Sequence, residues 1–198
     1  IYALCLEEIV LPMIENAVYQ KRIKKLFSLM KENSMVIIES APEKIRNNDS
    51  TYRYRQCSNF YYLTGYDKPS ALLLVLKKKK KLVTHFFTKK PNKHDEVWTG
   101  QLPTSAKTKN LYGFDKCSYL NDIEKYLIFY LENTKTIYHA WNNNTESKLI
   151  FDSCLHKLGE KYRSGTEIPS EFFSLKKIVH KLRLIKEKSE INLIRAAG

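Results

Sequence analysis

Cysteine, glycine and proline are all sparse in this chain: 4 cysteines, 6 glycines and 6 prolines among 198 residues. Cys5, Cys57, Cys117 and Cys154 form no CxxC pair. Their spacing therefore indicates neither a zinc site nor a disulfide framework, and reduced thiols are expected. So little glycine and proline excludes collagen-like and linker-like classes. There is no GxSxG elbow and no GxxxxGK[ST] phosphate loop. The longest uncharged apolar run, residues 71–76, is far too short to cross a bilayer. No cationic stretch followed by an apolar one stands at the start, and the chain begins at Ile1 rather than Met, which leaves an upstream segment open. The five histidines, His85, His94, His139, His156 and His180, never fall within four residues of one another. That removes the short-spaced pair of a zinc-binding helix. His94, Asp95 and Glu96 are adjacent, and adjacent side chains on one segment cannot all converge on one ion.

What is present is a globular composition, 43% hydrophobic and 28% charged. At this length one domain, or a domain with a short arm, is expected, burying about 70% of its unfolded surface. The net charge is +13. Such a charge permits contact with nucleic acid or an anionic membrane. The excess is lysine rather than arginine, so a solvated surface is the preferred reading and neither contact is expected.

Helical and extended patterns alternate along the chain, which argues an α/β fold. From Asn16, residues Val18, Ile23, Leu26, Phe27 and Met30 approximate a helical stripe, with Lys21, Arg22, Lys24, Lys25 and Lys31 assigned to the polar side. Residues 35–38, 71–76, 82–87 and 136–140 read as strands. Residues 52–55 alternate as an extended segment would. Five consecutive lysines, residues 77–81, repel one another and are expected in a solvated turn. Ser58 is positioned to cap a short helix ended by Gly65. Helices are also expected over residues 103–111, 122–131 (capped by Asn121), from Thr145 to near Gly159, over 172–184 and from Ser189 onward.

The segment 46–66 reads RNNDSTYRYRQCSNFYYLTGY. Its arginines can reach carboxylates or carbonyls through a planar fork, and its aromatics supply packing area. Stacking of bases between such aromatics and arginines is the other use. Ala41-Pro42-Glu43 precedes it. Pro69-Ser70-Ala71 and Asp95-Glu96-Val97-Trp98-Thr99-Gly100 follow. The motif from Val179 to Lys186, then Glu190-Ile191 and Arg195-Ala196-Ala197-Gly198, stands near the end. In this order the blocks resemble the N-terminal domain of aminopeptidase P, in the creatinase/prolidase metallopeptidase superfamily. The likeness runs from about Ile23 to the last residue.

The resemblance implies a mixed sheet flanked by helices. It divides the chain into an arm at 1–15, the domain at 16–186 and, at 187–198, the start of a link to a catalytic domain absent from this sequence. In that family two divalent ions, usually manganese, held by two Asp, one His and two Glu, hydrolyse the bond between an N-terminal residue and a following proline. None of that ligand set is expected here, so no residue of this chain is assigned a catalytic or metal role. The resemblance implies instead a supporting domain that helps assemble a homo-oligomer, dimer or tetramer, and close the pocket over a peptide with proline second. Asp49, Tyr54, Arg55, Gln56, Tyr62 and Gly65 are the implied structural or interface residues, with Asp49 and Arg55 as a candidate buried or interfacial ion pair. Trp98 is the implied pocket wall, weighed evenly against plain packing; the family often continues Gly-Arg where this chain has Gly100-Gln101. The implied location is intracellular, cytoplasmic or mitochondrial. The competing reading is a creatinase-like module that binds nucleic acid or protein without peptidase activity.

Overall fold

In the computed structural model, which describes residues 14–48, 50–92, 102–140, 145–160 and 165–197, the most apolar runs form the middle of a six-stranded sheet. β1 (Ser34–Glu39) is buried along its whole length. It pairs antiparallel with β4 (Ala71–Lys78), whose first six residues are also buried. Strands covered on both faces need continuous rather than alternating hydrophobicity, and these two have it. β5 (Lys81–Thr88) pairs antiparallel with β4, and β6 (Lys116–Tyr119) parallel with β5. On the other side β7 (Thr136–His139) runs parallel to β1, and β8 (Glu171–Ser174) parallel to β7. The order is β6-β5-β4-β1-β7-β8. A separate hairpin joins β2 (Ile45–Asn47) to β3 (Ser50–Thr51).

Helices cover both faces. α1 (Asn16–Leu29), α2 (Ser58–Thr64), α3 (Ser105–Tyr112) and α6 (Leu175–Leu184) lie on one. There Ile23, Leu26, Phe60, Leu63 and Val179 meet Val36, Leu73, Val75 and Phe86. α4 (Ile123–Leu131) and α5 (Thr145–Glu160) lie on the other, where Leu127, Leu131, Cys154 and Leu158 meet Met35, Ile37, Leu74 and Ile137. Full burial of each such side chain contributes about 1.5–3 kcal/mol. α7 (Lys188–Ala197) follows α6 after a short turn. The mixed sheet flanked by helices is the expected architecture. No helix among the described residues is long and apolar enough to cross a membrane.

Four local expectations are corrected. Residues 171–174 are the edge strand β8, not the start of a helix; pairing with β7 overrides a Phe172-Phe173 run that merges with the helical pattern after it. Ser58 is the first helical residue rather than the cap; Cys57 occupies the cap position. A 3₁₀ turn, Leu120–Asp122, precedes α4, and Asp122 rather than Asn121 is its cap residue.

The fourth correction concerns the lysine run. Only Lys79 and Lys80 form the turn, with φ of 51° and 59°. Lys77 and Lys78 belong to β4, and successive strand residues point to opposite faces. Lys77 Nζ donates to the Phe27 and Met30 carbonyls at the end of α1 (3.0 and 2.8 Å). Lys78 Nζ donates to the Tyr130 and Glu132 carbonyls at the end of α4 (3.3 and 3.0 Å). Each ammonium thus binds carbonyls at the negative end of the helix on its own face.

Candidate functional site

The segment that carries the resemblance divides sharply. Its second half, residues 56–66, is built into the domain. Gln56 uses its whole amide: Oε1 accepts the Ala41 and Cys57 N–H groups (2.8 Å each). Nε2 donates to the Tyr66 and Lys68 carbonyls (3.1 and 2.9 Å). All four bonds available to a glutamine side chain are made, which joins the loop after β1 to both ends of α2. Gly65 ends α2 at φ +68°, and a Cβ there would stand 2.6 Å from the Tyr19 ring. Only glycine meets both demands. Tyr62 is buried, which pushes its hydroxyl pKa up, and the hydroxyl donates to the Leu182 carbonyl (3.2 Å). Tyr66 is buried too, sharing a hydrogen bond with Thr88 Oγ1 (3.1 Å).

The described residues of the first half, with the adjoining Ile45, mostly face solvent. Ile45 is 73% and Tyr52 57% exposed. Arg46, Arg53 and Arg55 are exposed as well, and the Arg46 guanidinium lies 6.0 Å from the Tyr52 ring centroid. Arg55 is therefore not a buried fork in this domain. Asp49, its expected partner, and Trp98 lie outside the described residues. Tyr54 stands at the boundary: half-buried, its hydroxyl donates to the Ala41 carbonyl (3.1 Å), and burial pushes its pKa up to about 12.

The buried arginine is another one. Arg22, assigned to the polar side of α1 from its charge, is 2% exposed. Its Nη1 donates to the Tyr62 carbonyl (3.1 Å), and its plane lies 4.2 Å from the Tyr62 ring centroid. Its Nε donates to Glu187 Oε2 (3.3 Å), and Nη2 lies 3.4 Å from Glu190 Oε2 without hydrogen-bond geometry. The spacing held the signal: Tyr19, Arg22, Ile23, Leu26 and Met30 follow one helical stripe, and all are buried.

Among the described residues, catalytic groups do not assemble. His85 is buried between the Tyr130 hydroxyl (3.0 Å) and Ser118 Oγ (2.9 Å). Burial, with Lys116 nearby, pulls its pKa down to about 4, so it is neutral at pH 7. Cys57 packs on the α1 face of the sheet and His85 on the α4 face, so no thiol–imidazole pair forms. Burial pushes the Cys117 and Cys154 thiols up to about 11, away from nucleophilic thiolates. His139 Nε2 lies 3.3 Å from Glu39 Oε1; His156 and His180 are exposed. Among the described residues no three His, Cys, Asp or Glu side chains are grouped to hold a metal ion. The side chains described here do not fit a metal centre, and no reaction step is assigned to them.

Comparison with known proteins gives this arrangement its place. Residues 19–138 match the family described as "Aminopeptidase P, N-terminal domain". The Xaa-Pro aminopeptidase of Escherichia coli (strain K12) is 30% identical over 189 residues, covering 93% of this chain and 42% of that protein. The mitochondrial intermediate cleaving peptidase 55 of Arabidopsis thaliana is 26% identical over 189 residues, covering 96% of this chain and 36% of its own. Among solved structures, aminopeptidase P from E. coli in its low-pH form superposes with a TM-score of 0.90 at 29% identity, covering 94% of this chain and 43% of that one. The chain spans about two fifths of the length of the relatives it matches. This chain belongs to the aminopeptidase P N-terminal domain family.

Proposed function

We propose that this chain is the non-catalytic N-terminal domain of a metal-dependent Xaa-Pro aminopeptidase, which removes N-terminal residues that precede proline. The observation that carries this reading is the match of residues 19–138 to the aminopeptidase P N-terminal domain, and the exposed half of segment 46–66 supports its contact role. Ile45 and Arg46 on the hairpin, and Tyr52, Arg53 and Arg55 just after it, face solvent and contribute little to the core. Exposed aromatic and arginine side chains grouped on one loop are the composition of a contact surface. On this reading the surface packs against the catalytic domain or a second subunit, supports a homo-oligomer and helps close the pocket over the peptide. Trp98 serves as an apolar wall of that pocket. Two divalent ions, manganese in the usual case, are held by the catalytic domain and supply an activated hydroxide. The named relatives, bacterial and mitochondrial, support an intracellular location in the cytoplasm or mitochondrion.

The test is direct. The full-length protein with added manganese is assayed on Xaa-Pro-Xaa peptides and on matched peptides lacking the proline. Release of the first residue from the proline peptides alone, abolished by a chelator, is the expected result. No release, together with tight salt-dependent binding of nucleic acid, would establish the rival binding module, which the +13 charge permits.

A further inference from the structure

The chain leaves the domain through α6 and turns at Leu184 and Ile185, which are 74% and 81% exposed, before α7 begins at Lys188. A short exposed turn between two helices is a hinge unless something holds both sides. α7 has no buried residue, and its Ile194 is 61% exposed. Its apolar contact is slight, with Leu193 half-buried in a cleft shared with Tyr61 and Tyr62.

Polar contacts hold both sides of the turn. Before the turn, the Tyr62 hydroxyl donates to the Leu182 carbonyl (3.2 Å) and Arg183 Nη1 to Asn59 Oδ1 (2.5 Å), tying α6 to α2. After it, Arg22 reaches Glu187 and Glu190, and Lys25 Nζ donates to Glu187 Oε1 (2.7 Å), tying α7 to α1. Glu190 Oε2 also accepts the Glu187 N–H (3.0 Å). The carboxylate that closes the first turn of α7 is thus the one facing the arginine. Arg22 itself cannot drift, because the Tyr62 carbonyl and ring hold it from the other side. A guanidinium buried this far is costly to desolvate. Its charged partners lie along the exit path of the chain.

We infer that Arg22 is a positioning residue: it locks the turn at residues 185–187 and sets the angle at which α7, and the chain beyond it, leaves the domain. The consequence for catalysis rests on the function proposed above; the lock itself does not.

The experiment uses the full-length protein. The main variant is Glu187→Gln with Glu190→Gln, which removes the charges at the rim and keeps side-chain volume. Arg22→Lys is the second, keeping the charge but not the planar fork. The first measurement is the rate of tryptic cleavage between residues 183 and 188, read beside the melting temperature. Both variants should be cut there at least about tenfold faster than wild type, each rate taken relative to the same variant's unfolded chain, and by more than any loss of global stability accounts for, as expected for a local rather than global opening. The second is steady-state kinetics on an Xaa-Pro peptide. Here kcat should fall about tenfold or more with little change in KM, because groups displaced by an ångström lose reactive geometry rather than affinity. Cleavage within twofold of wild type in both variants would overturn the lock. Faster cleavage with unchanged kcat would overturn the positioning role. A wild-type protein that cleaves no Xaa-Pro peptide would sink the proposed function, while the proteolysis would still decide the lock.

Discussion

Residues 56–66 and 45–55 are adjoining stretches of one aromatic-containing segment, and the fold treats them in opposite ways. The later half is consumed by the domain: Gln56 spends all four of its hydrogen bonds on backbone groups, and Phe60, Leu63 and Tyr66 are fully or almost fully buried. The earlier half spends almost nothing, leaving Ile45, Tyr52, Arg53 and Arg55 in solvent. A recognisable motif is therefore not one kind of constraint. Part of it is there to make the fold, and the part the fold does not use is available for contact.

Substitutions can break this contrast. The largest effect is expected for Gly65→Ala, which places a Cβ 2.6 Å from the Tyr19 ring on a left-handed backbone. The loss should be about 3 kcal/mol in a denaturant melt; a loss below about 1 kcal/mol would mean that Tyr19 moves aside freely. Gln56→Ala strands two backbone N–H groups and two carbonyls and should cost about 2 kcal/mol. Water filling the site without loss of stability would show that the staple is dispensable.

The lysine run offers the same contrast between like residues. Lys77→Ala should cost about 1–2 kcal/mol, because its ammonium binds two carbonyls at a helix end. Lys79→Asn with Lys80→Gly should instead raise stability by about 1 kcal/mol, since two lysines with positive φ occupy a turn that Asn-Gly adopts without strain. Equal effects at the two sites would refute the division of the run. The smallest stability effect is expected for Arg55→Ala, below about 0.5 kcal/mol, as for surface positions generally.

The elements legible in the sequence are those fixed by local patterns. The stripe of α1, the apolar runs of β1, β4 and β5, and the glycines that end α2 and α3 all act within a few residues of themselves. What escaped reading depends on partners far along the chain. Arg22 reads as solvated from its charge although it falls on the apolar stripe, and its carboxylates stand about 165 residues later. Lys77 and Lys78 looked like part of one repelling cluster; strand alternation sends them to separate helices. β8 is four residues long and is a strand only because β7 lies beside it. The site residues divided similarly. Gln56, Tyr62 and Gly65 have visible structural tasks, whereas for Arg55 the domain shows exposure and leaves its task to the rest of the molecule.

The central claim, that the exposed half of the segment serves contact rather than folding, is tested most directly by Arg55→Ala and Gln56→Ala made side by side in the full-length protein. Stability and specific activity on an Xaa-Pro peptide are measured on both. Arg55→Ala should melt with wild type and lose about tenfold or more in kcat/KM, while Gln56→Ala should melt earlier with its folded fraction nearly as active as wild type. A loss of several kcal/mol in Arg55→Ala, with the folded enzyme fully active, would contradict the account.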